Sequence, residues 1–411
     1  MLNKKLTRRN ALKLGLLSGG LALFSGQTNA PTIGTRAASA QTVALQGSPA
    51  VRNTAYVANE QTCTVSVIDT TTHTIKTTIG LGSDPAIPGT PQPNGPFNGE
   101  TQHHNAFYNG HVDPHGLWLT PDASVLLVAC RISGTVVAID TVTNSVLGYA
   151  PVGREPHLAT VHPNGAEAWV AIRGENYLDV LKLDRDDLFD AKRRRTDRME
   201  NLATIDTMQG PSMVSFTSNG SIAFVVAGKE PRVDKIDTAT RKILASKAVP
   251  APFTPFGLVS PDDQELYLVH KGAGTLSILR TSDLGFVVEG MPIGARPNHI
   301  YFVGNLAYVT VGGAPPSATN PDPAGKIVVI DRTTHAVVNE LTGSALTGEP
   351  HAIWATPSGK LYVGHERGNK VTVIDTGDAN NPLDDTVQGT VKDDVAHPGF
   401  LNKPIDIVIS P

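Results

Sequence analysis

Pro114-His115-Gly116-Leu117-Trp118-Leu119-Thr120-Pro121-Asp122, then Leu126-Leu127-Val128-Ala129-Cys130, then Val136-Val137-Ala138-Ile139-Asp140, is the stretch whose reading decides the fold. Three short apolar runs, rich in β-branched residues and alternating with period two, are separated by turn residues, which is the pattern of strands joined by tight turns. The first run returns at Pro156, Pro211, Pro255, Pro297, Pro350 and Pro404, at intervals of 42 to 55 residues. A second run follows the first six of these prolines, reading LLVAC, AWVAI, AFVVA, LYLVH, AYVTV and LYVGH. A third ends in Asp at Asp140, Asp184, Asp237, Asp331 and Asp375, with Arg280 in that place in the unit that opens at Pro255. A fourth, such as VLGYAPVG, completes each unit. One such unit cannot bury its own apolar faces, so the repeat implies an array of stacked four-stranded sheets.

The two ends of the repeat region complement each other. The N-terminal unit begins at a second strand (AYVAN, 55–59), continues with VSVID (65–69) and TIKTTIGLG (74–82), and lacks a first strand. The C-terminal run, 404–411, is a first strand with nothing after it. Paired, they make blade one from about 54–82 and 404–411, and the ring they close has no open edge. The expectation is an all-β fold over 41–411, a seven-bladed β-propeller of four-stranded antiparallel blades, closed by pairing of the N- and C-terminal strands. Period and motif resemble the YVTN family of seven-bladed β-propellers, whose repeat reads roughly P-x-G-V-A-V-S-P-D-G…L-Y-V-A-N…T-V-S-V-I-D. The resemblance spans about residues 50–411 and implies the fold. It implies no particular activity, because one propeller architecture hosts many.

Residues 1–40 read as an address. They carry Lys4, Lys5, Arg8, Arg9, Lys13 and Arg36, no acidic residue, and an apolar run from Leu14 to Phe24 that is too short to span a bilayer. The Arg8-Arg9 pair resembles the twin-arginine (Tat) export signal, with Ala11 where that signal usually has Phe, and Ala38-Ser39-Ala40 has the form of a cleavage site. Export to the periplasm or the extracellular space is expected, with no membrane span in the mature chain. The 411-residue chain has a net charge of −4, which becomes −10 once the six positive charges of the signal are removed. An acidic chain argues against a nucleic-acid partner held through phosphates. The composition, 40% hydrophobic and 18% charged, supports a buried core.

Chemistry is sought where residues gather on one face. In a blade wound outward from the axis, the start of strand one and the strand two–three loop lie at the same end, here called the top. His115, His157, His299 and His351 open first strands, and His103, His104 and His111 lie in a Pro/Gly-rich insertion, 83–113, at the top before blade two. His115, His157 and His351 each follow proline, in Asp113-Pro114-His115, Glu155-Pro156-His157 and Glu349-Pro350-His351. Equivalent repeat positions place these imidazoles at one height. With His103 or His104 reaching over them they would suit copper, zinc or iron, and Asp113, Glu155 and Glu349 would orient the rings from behind. Histidines that merely bond neighbouring blades are the competing reading. His299 is displaced by one residue and is expected to face away unless a bulge intervenes.

Other features are secondary. Cys63 and Cys130 lie beside the strand two–three loops of blades one and two, where a disulfide is an open alternative to two thiols. Residues 185–201, with Lys192-Arg193-Arg194-Arg195, read as a solvated, partly helical bottom loop, and 312–325 as a passive top loop. Trp118, Trp169 and Trp354 occupy strand positions and read as blade packing. No phosphate loop, GxSxG elbow or HExxH motif occurs. Two function classes remain: a binding protein for a protein, polysaccharide or small molecule on the top face, with a transition-metal site in prospect, and a metal- or cofactor-dependent enzyme, redox, lactonase- or lyase-like, on that same face.

Overall fold

A computed structural model describes residues 53–81, 112–378, 381–391 and 401–410, and these form seven four-stranded antiparallel sheets. The signal segment 1–40, His103, His104, His111 and His397 lie outside the described residues. Blade two shows the unit: Pro114–Leu119, Val125–Cys130, Thr135–Asp140 and Ser145–Pro151, hydrogen-bonded in chain order. Blade one is composite. Pro404–Ile409 is its first strand and pairs with Thr54–Asn59, with Ala55 opposite Ile409 and Val57 opposite Ile407, and Thr64–Asp69 and Thr74–Gly80 complete it. The first strands touch one another in a closed cycle through all seven blades. The propeller expected from the repeat is the fold observed.

Each blade owes its packing to one repeated position. The second residue of the apolar run in strand two is Tyr56, Trp169, Phe224, Tyr267, Tyr308 and Tyr362 in six blades, and Leu127 in the seventh, all essentially inaccessible. These bulky groups fill the wedges between sheets, and their polar tips find partners. Tyr56 donates to the carbonyl of Thr141 in blade two and Tyr362 to that of Thr70 in blade one, so the same ring that fills a wedge also ties it to the next blade. Trp169 Nε1 donates to Glu167 within its own blade. The Asp ending strand three caps the turn that follows. Asp69 accepts from the backbone of Thr71 and Thr72, and Asp331 from Thr333 and Thr334.

Two backbone devices build the top of the ring. The residue before each strand-one proline takes a left-handed φ: 60° at Asp113, 52° at Glu155, 68° at Gly210, 60° at Arg296, 61° at Glu349 and 57° at Lys403, with Phe253 (60°) one residue earlier in blade five. The carbonyl of each accepts the N–H of the residue just past strand two, from Arg131, Arg173, Gly228, Gly312, Glu366, Glu60 and Lys271 in turn. A bulge then follows the proline in six of the blades, as between Pro114 and Gly116 or Pro297 and Ile300. The 185–201 insertion leaves strand three of blade three as a short helix, Arg185–Phe189, capped by Asp184, and a 3-10 turn, Arg195–Asp197.

Candidate functional site: the axial funnel

The first strands line a passage along the axis that changes character from end to end. At the top is a funnel of about 160 Å³, lined among others by His115, His157, His299 and His351 and by the residues just past the second strands. Below it, a neck of about 10 Å³ is closed in by Met213, Phe256, Ile405 and Asp406. The bottom opens again into an aromatic bowl.

The histidines meet in pairs. His115 Nε2 lies 3.0 Å from His157 Nε2, and the His299 and His351 rings are 4.8 Å apart, with His299 stacked on Phe256. The bulge between Pro297 and Ile300 is what turns His299 inward, the one circumstance in which its displaced position allows that. His157 Nδ1 donates to the Ser212 carbonyl and His351 Nδ1 to the Ile405 carbonyl, each the equivalent residue of the next blade. Both rings therefore present a bare Nε2 to the passage. His115 Nε2 must donate to His157, which leaves buried His115 Nδ1 without a hydrogen bond, 3.9 Å from the Glu60 carboxylate. Burial holds all four imidazoles neutral, reinforced by the charge of Arg131 at His115, Arg173 at His157 and Lys271 at His299 and His351.

No three His, Cys, Asp or Glu side chains among the described residues are grouped to hold a metal ion. His351 stands with His299 rather than with the His115–His157 pair, and His103 and His104 fall outside the described residues. Two of the three carboxylates, those of Asp113 and Glu349, serve guanidinium and ammonium groups, and none of the three serves an imidazole. Asp113 accepts from Arg131 Nε at 2.9 Å, while Glu349 binds Arg367 at 2.8 Å, Arg296, and Lys271 at 3.4 Å. Glu155 keeps an exposed side chain and bonds Arg173 through its carbonyl. The left-handed backbone before the proline sends these side chains away from the imidazole that follows, so backbone carbonyls fix the tautomers. Cys63 and Cys130 share one buried apolar cluster, both as thiols, and burial pushes the Cys130 thiol well up.

The funnel also carries a charged ring that the reading of histidines passed over. The residues past the second strands are Glu60, Arg131, Arg173, Gly228, Lys271, Gly312 and Glu366, and the five charged ones line the funnel with Lys403. Their signal is plain in the sequence: they sit one position beyond AYVAN, LLVAC, AWVAI, LYLVH and LYVGH. Most are interlocked, Arg131 with Glu60 and Asp113, Lys403 with Glu60 at 2.9 Å, and Lys271 with Glu349. Arg173 differs. Among the described residues its guanidinium has no ion pair or hydrogen bond; it stands over the Phe253 ring, 5.8 Å from the centroid, and burial and Arg131 lower its proton affinity. Burial raises the proton affinity of Glu60, with Arg131 opposing, and burial and the charge of Glu349 raise that of Glu366.

Trp118 and Trp354 are only half-buried and line the bottom bowl, so of the three tryptophans Trp169 alone is wholly blade packing.

No family model matches the chain, and no curated protein matches it. Solved structures do. Kuenenia stuttgartiensis hydrazine synthase is 19% identical, with a TM-score of 0.57 over 67% of this chain and 79% of that one. A functionally unknown protein from Desulfotomaculum acetoxidans is 14% identical, with a TM-score of 0.61 over 87% and 98%. A putative 6-phosphogluconolactonase from Bacteroides fragilis is 15% identical, with a TM-score of 0.58 over 86% and 97%. At these identities the likeness is one of fold alone: this chain is a β-propeller similar in architecture to all three.

Proposed function

We propose that this is an exported, YVTN-like binding protein whose axial funnel takes a small carboxylate or oxyanion. The observation that carries the reading is Arg173, a partly buried guanidinium with no ion pair or hydrogen bond among the described residues, in a funnel whose other cations, Arg131, Lys271 and Lys403, are already held by Glu60, Asp113, Glu349 and Glu366. An unpaired cation held away from water is costly unless something neutralises it, and an anion does so with charge-assisted hydrogen bonds. The bare Nε2 of His351 could accept a hydrogen bond from a hydroxyl on the same ligand. The volume suits a ligand of a few heavy atoms.

Calorimetric titration with inorganic phosphate, sulfate and succinate tests this. At least one should bind, more weakly as ionic strength rises, and Arg173→Gln should weaken it about tenfold or more. No binding at millimolar anion, or equal binding by Arg173→Gln, refutes the reading. A second reading, a metal- or cofactor-dependent enzyme on the same face, rests on the imidazole–carboxyl pairs: His115 Nδ1 lies 3.9 Å from Glu60, and His351 Nε2 lies 3.8 Å from Glu366. A neutral base beside a carboxyl of raised proton affinity is a proton-transfer couple. A metal would need a third ligand beyond the His115–His157 pair, from His103 or His104. Elemental analysis of untagged protein decides that point: less than one metal per chain removes it.

A further inference from the structure

The bottom of the passage is a second cavity of about 460 Å³, and its chemistry is opposite to that of the funnel. None of its lining residues is charged. Trp118, Tyr301 and Trp354 are each the fifth residue of a first strand, in blades two, six and seven, so the repeat brings them to one depth at the axis. The Trp118 and Trp354 rings meet edge to face with centroids 5.6 Å apart, and Tyr301 leans on Trp354 at 4.7 Å. They pack as a wall rather than as the open cage that a cationic headgroup would enter.

The polar tips of these rings set them apart from the other large aromatics. Trp169 gives its indole N–H to Glu167, and Tyr56 and Tyr362 give their hydroxyls to backbone carbonyls. Among the described residues the Trp118 and Trp354 indole N–H groups and the Tyr301 hydroxyl have no hydrogen-bond partner, and none is sealed from solvent. Buried or half-buried aromatics ordinarily satisfy these groups. The hydroxyls of Thr120 and Thr356, also in the lining, are already engaged, with Asp122 and Ser358.

We propose that this bowl is a binding site for an uncharged, planar ring compound bearing carbonyl or ether oxygens. Flat apolar faces match the aromatic wall, acceptor oxygens match three waiting donors, and the uncharged lining excludes an ionised ligand, whose desolvation nothing there would offset. The neck above the bowl has room for about one water molecule, so a ring compound bound below cannot reach the funnel. The two sites are separate, and this one does not depend on the anion reading.

Coumarin is a suitable probe, and the three tryptophans make a built-in reporter. In the ¹⁵N-labelled protein the indole N–H signals of Trp118 and Trp354, assigned through Trp118→Phe and Trp354→Phe, should move as coumarin is added, while that of Trp169 stays. Tyr301→Phe, which keeps the ring and removes one donor, should weaken coumarin binding by about 2- to 10-fold. Coumarin-3-carboxylate should leave the Trp118 and Trp354 signals in place, and Arg173→Gln should leave coumarin binding unchanged. Static indole signals at millimolar coumarin, equal movement of the Trp169 signal, or equal response to the carboxylate would each overturn the proposal.

Discussion

Asp406 sits in the neck of the passage, on the strand that closes the ring, and burial raises its carboxyl from the ordinary range to about 7. It accepts hydrogen bonds from the N–H groups of Leu117 in blade two and Ile407, and His299 stands 3.7 Å away. An acid with raised proton affinity in the folded state holds its proton there after the unfolded chain has lost it. Between about pH 4 and pH 7 the folded form therefore binds more protons, and this group's contribution to stability falls as pH rises; above about 7 the full loss remains. Asp406→Asn should lose about 1 kcal/mol at pH 4.5 through one missing acceptor, then gain on the wild type by a few kcal/mol by pH 7.5. Urea midpoints at the two pH values measure this, and a constant difference between the proteins would refute it.

At the level of the strand, two features shape the site. The bulges after the strand-one prolines bring His299 to the axis, which strict alternation would not. The close approach of first strands does the rest: a Cβ on Gly116 would run into the His157 carbonyl, so the glycine after His115 is what lets blades two and three bring their imidazoles together. The closing strand carries the largest energetic weight. Ile405, Ile407, Val408 and Ile409 are all at most 5% exposed. At roughly 1.5–3 kcal/mol for each buried side chain, their loss is comparable to the whole stability of a domain. Deleting residues 403–411 should abolish the cooperative melt and send the chain into larger species on a sizing column. Unchanged melting would show that the ring does not need its closure. Ile407→Ala alone should cost about 2–5 kcal/mol.

For the whole molecule, the axial passage runs from a charged funnel to an uncharged bowl, with a neck too narrow for more than a water between them. No helix among the described residues is long and apolar enough to cross a membrane. The proposed export rests on Arg8 and Arg9, so Arg8→Lys with Arg9→Lys should leave the precursor in the cytoplasm when fractions are blotted. Secretion at the wild-type rate would show that another route is used.

The sequence by itself determined the blades, their number and the composite blade one, because period-two alternation and a repeated proline encode strands locally and the unmatched ends encode closure. The inward turn of His115, His157 and His351 was legible from their shared repeat position. Their grouping was not. Which imidazole meets which depends on the bulges and on the distances between first strands, and these are set by how wide the blade wedges pack. The ring from Glu60 to Glu366 was present in the sequence at one repeat position. That Arg173, among the described residues, is the one cation lining it with no partner is decided by cross-blade geometry, since Glu155 keeps an exposed side chain where Asp113 and Glu349 turn towards their guanidinium partners. Trp118 and Trp354 carry the same lesson. A strand pattern says that a side chain alternates inward, but only the closed ring decides whether inward means the core between two blades or the open bowl at the axis.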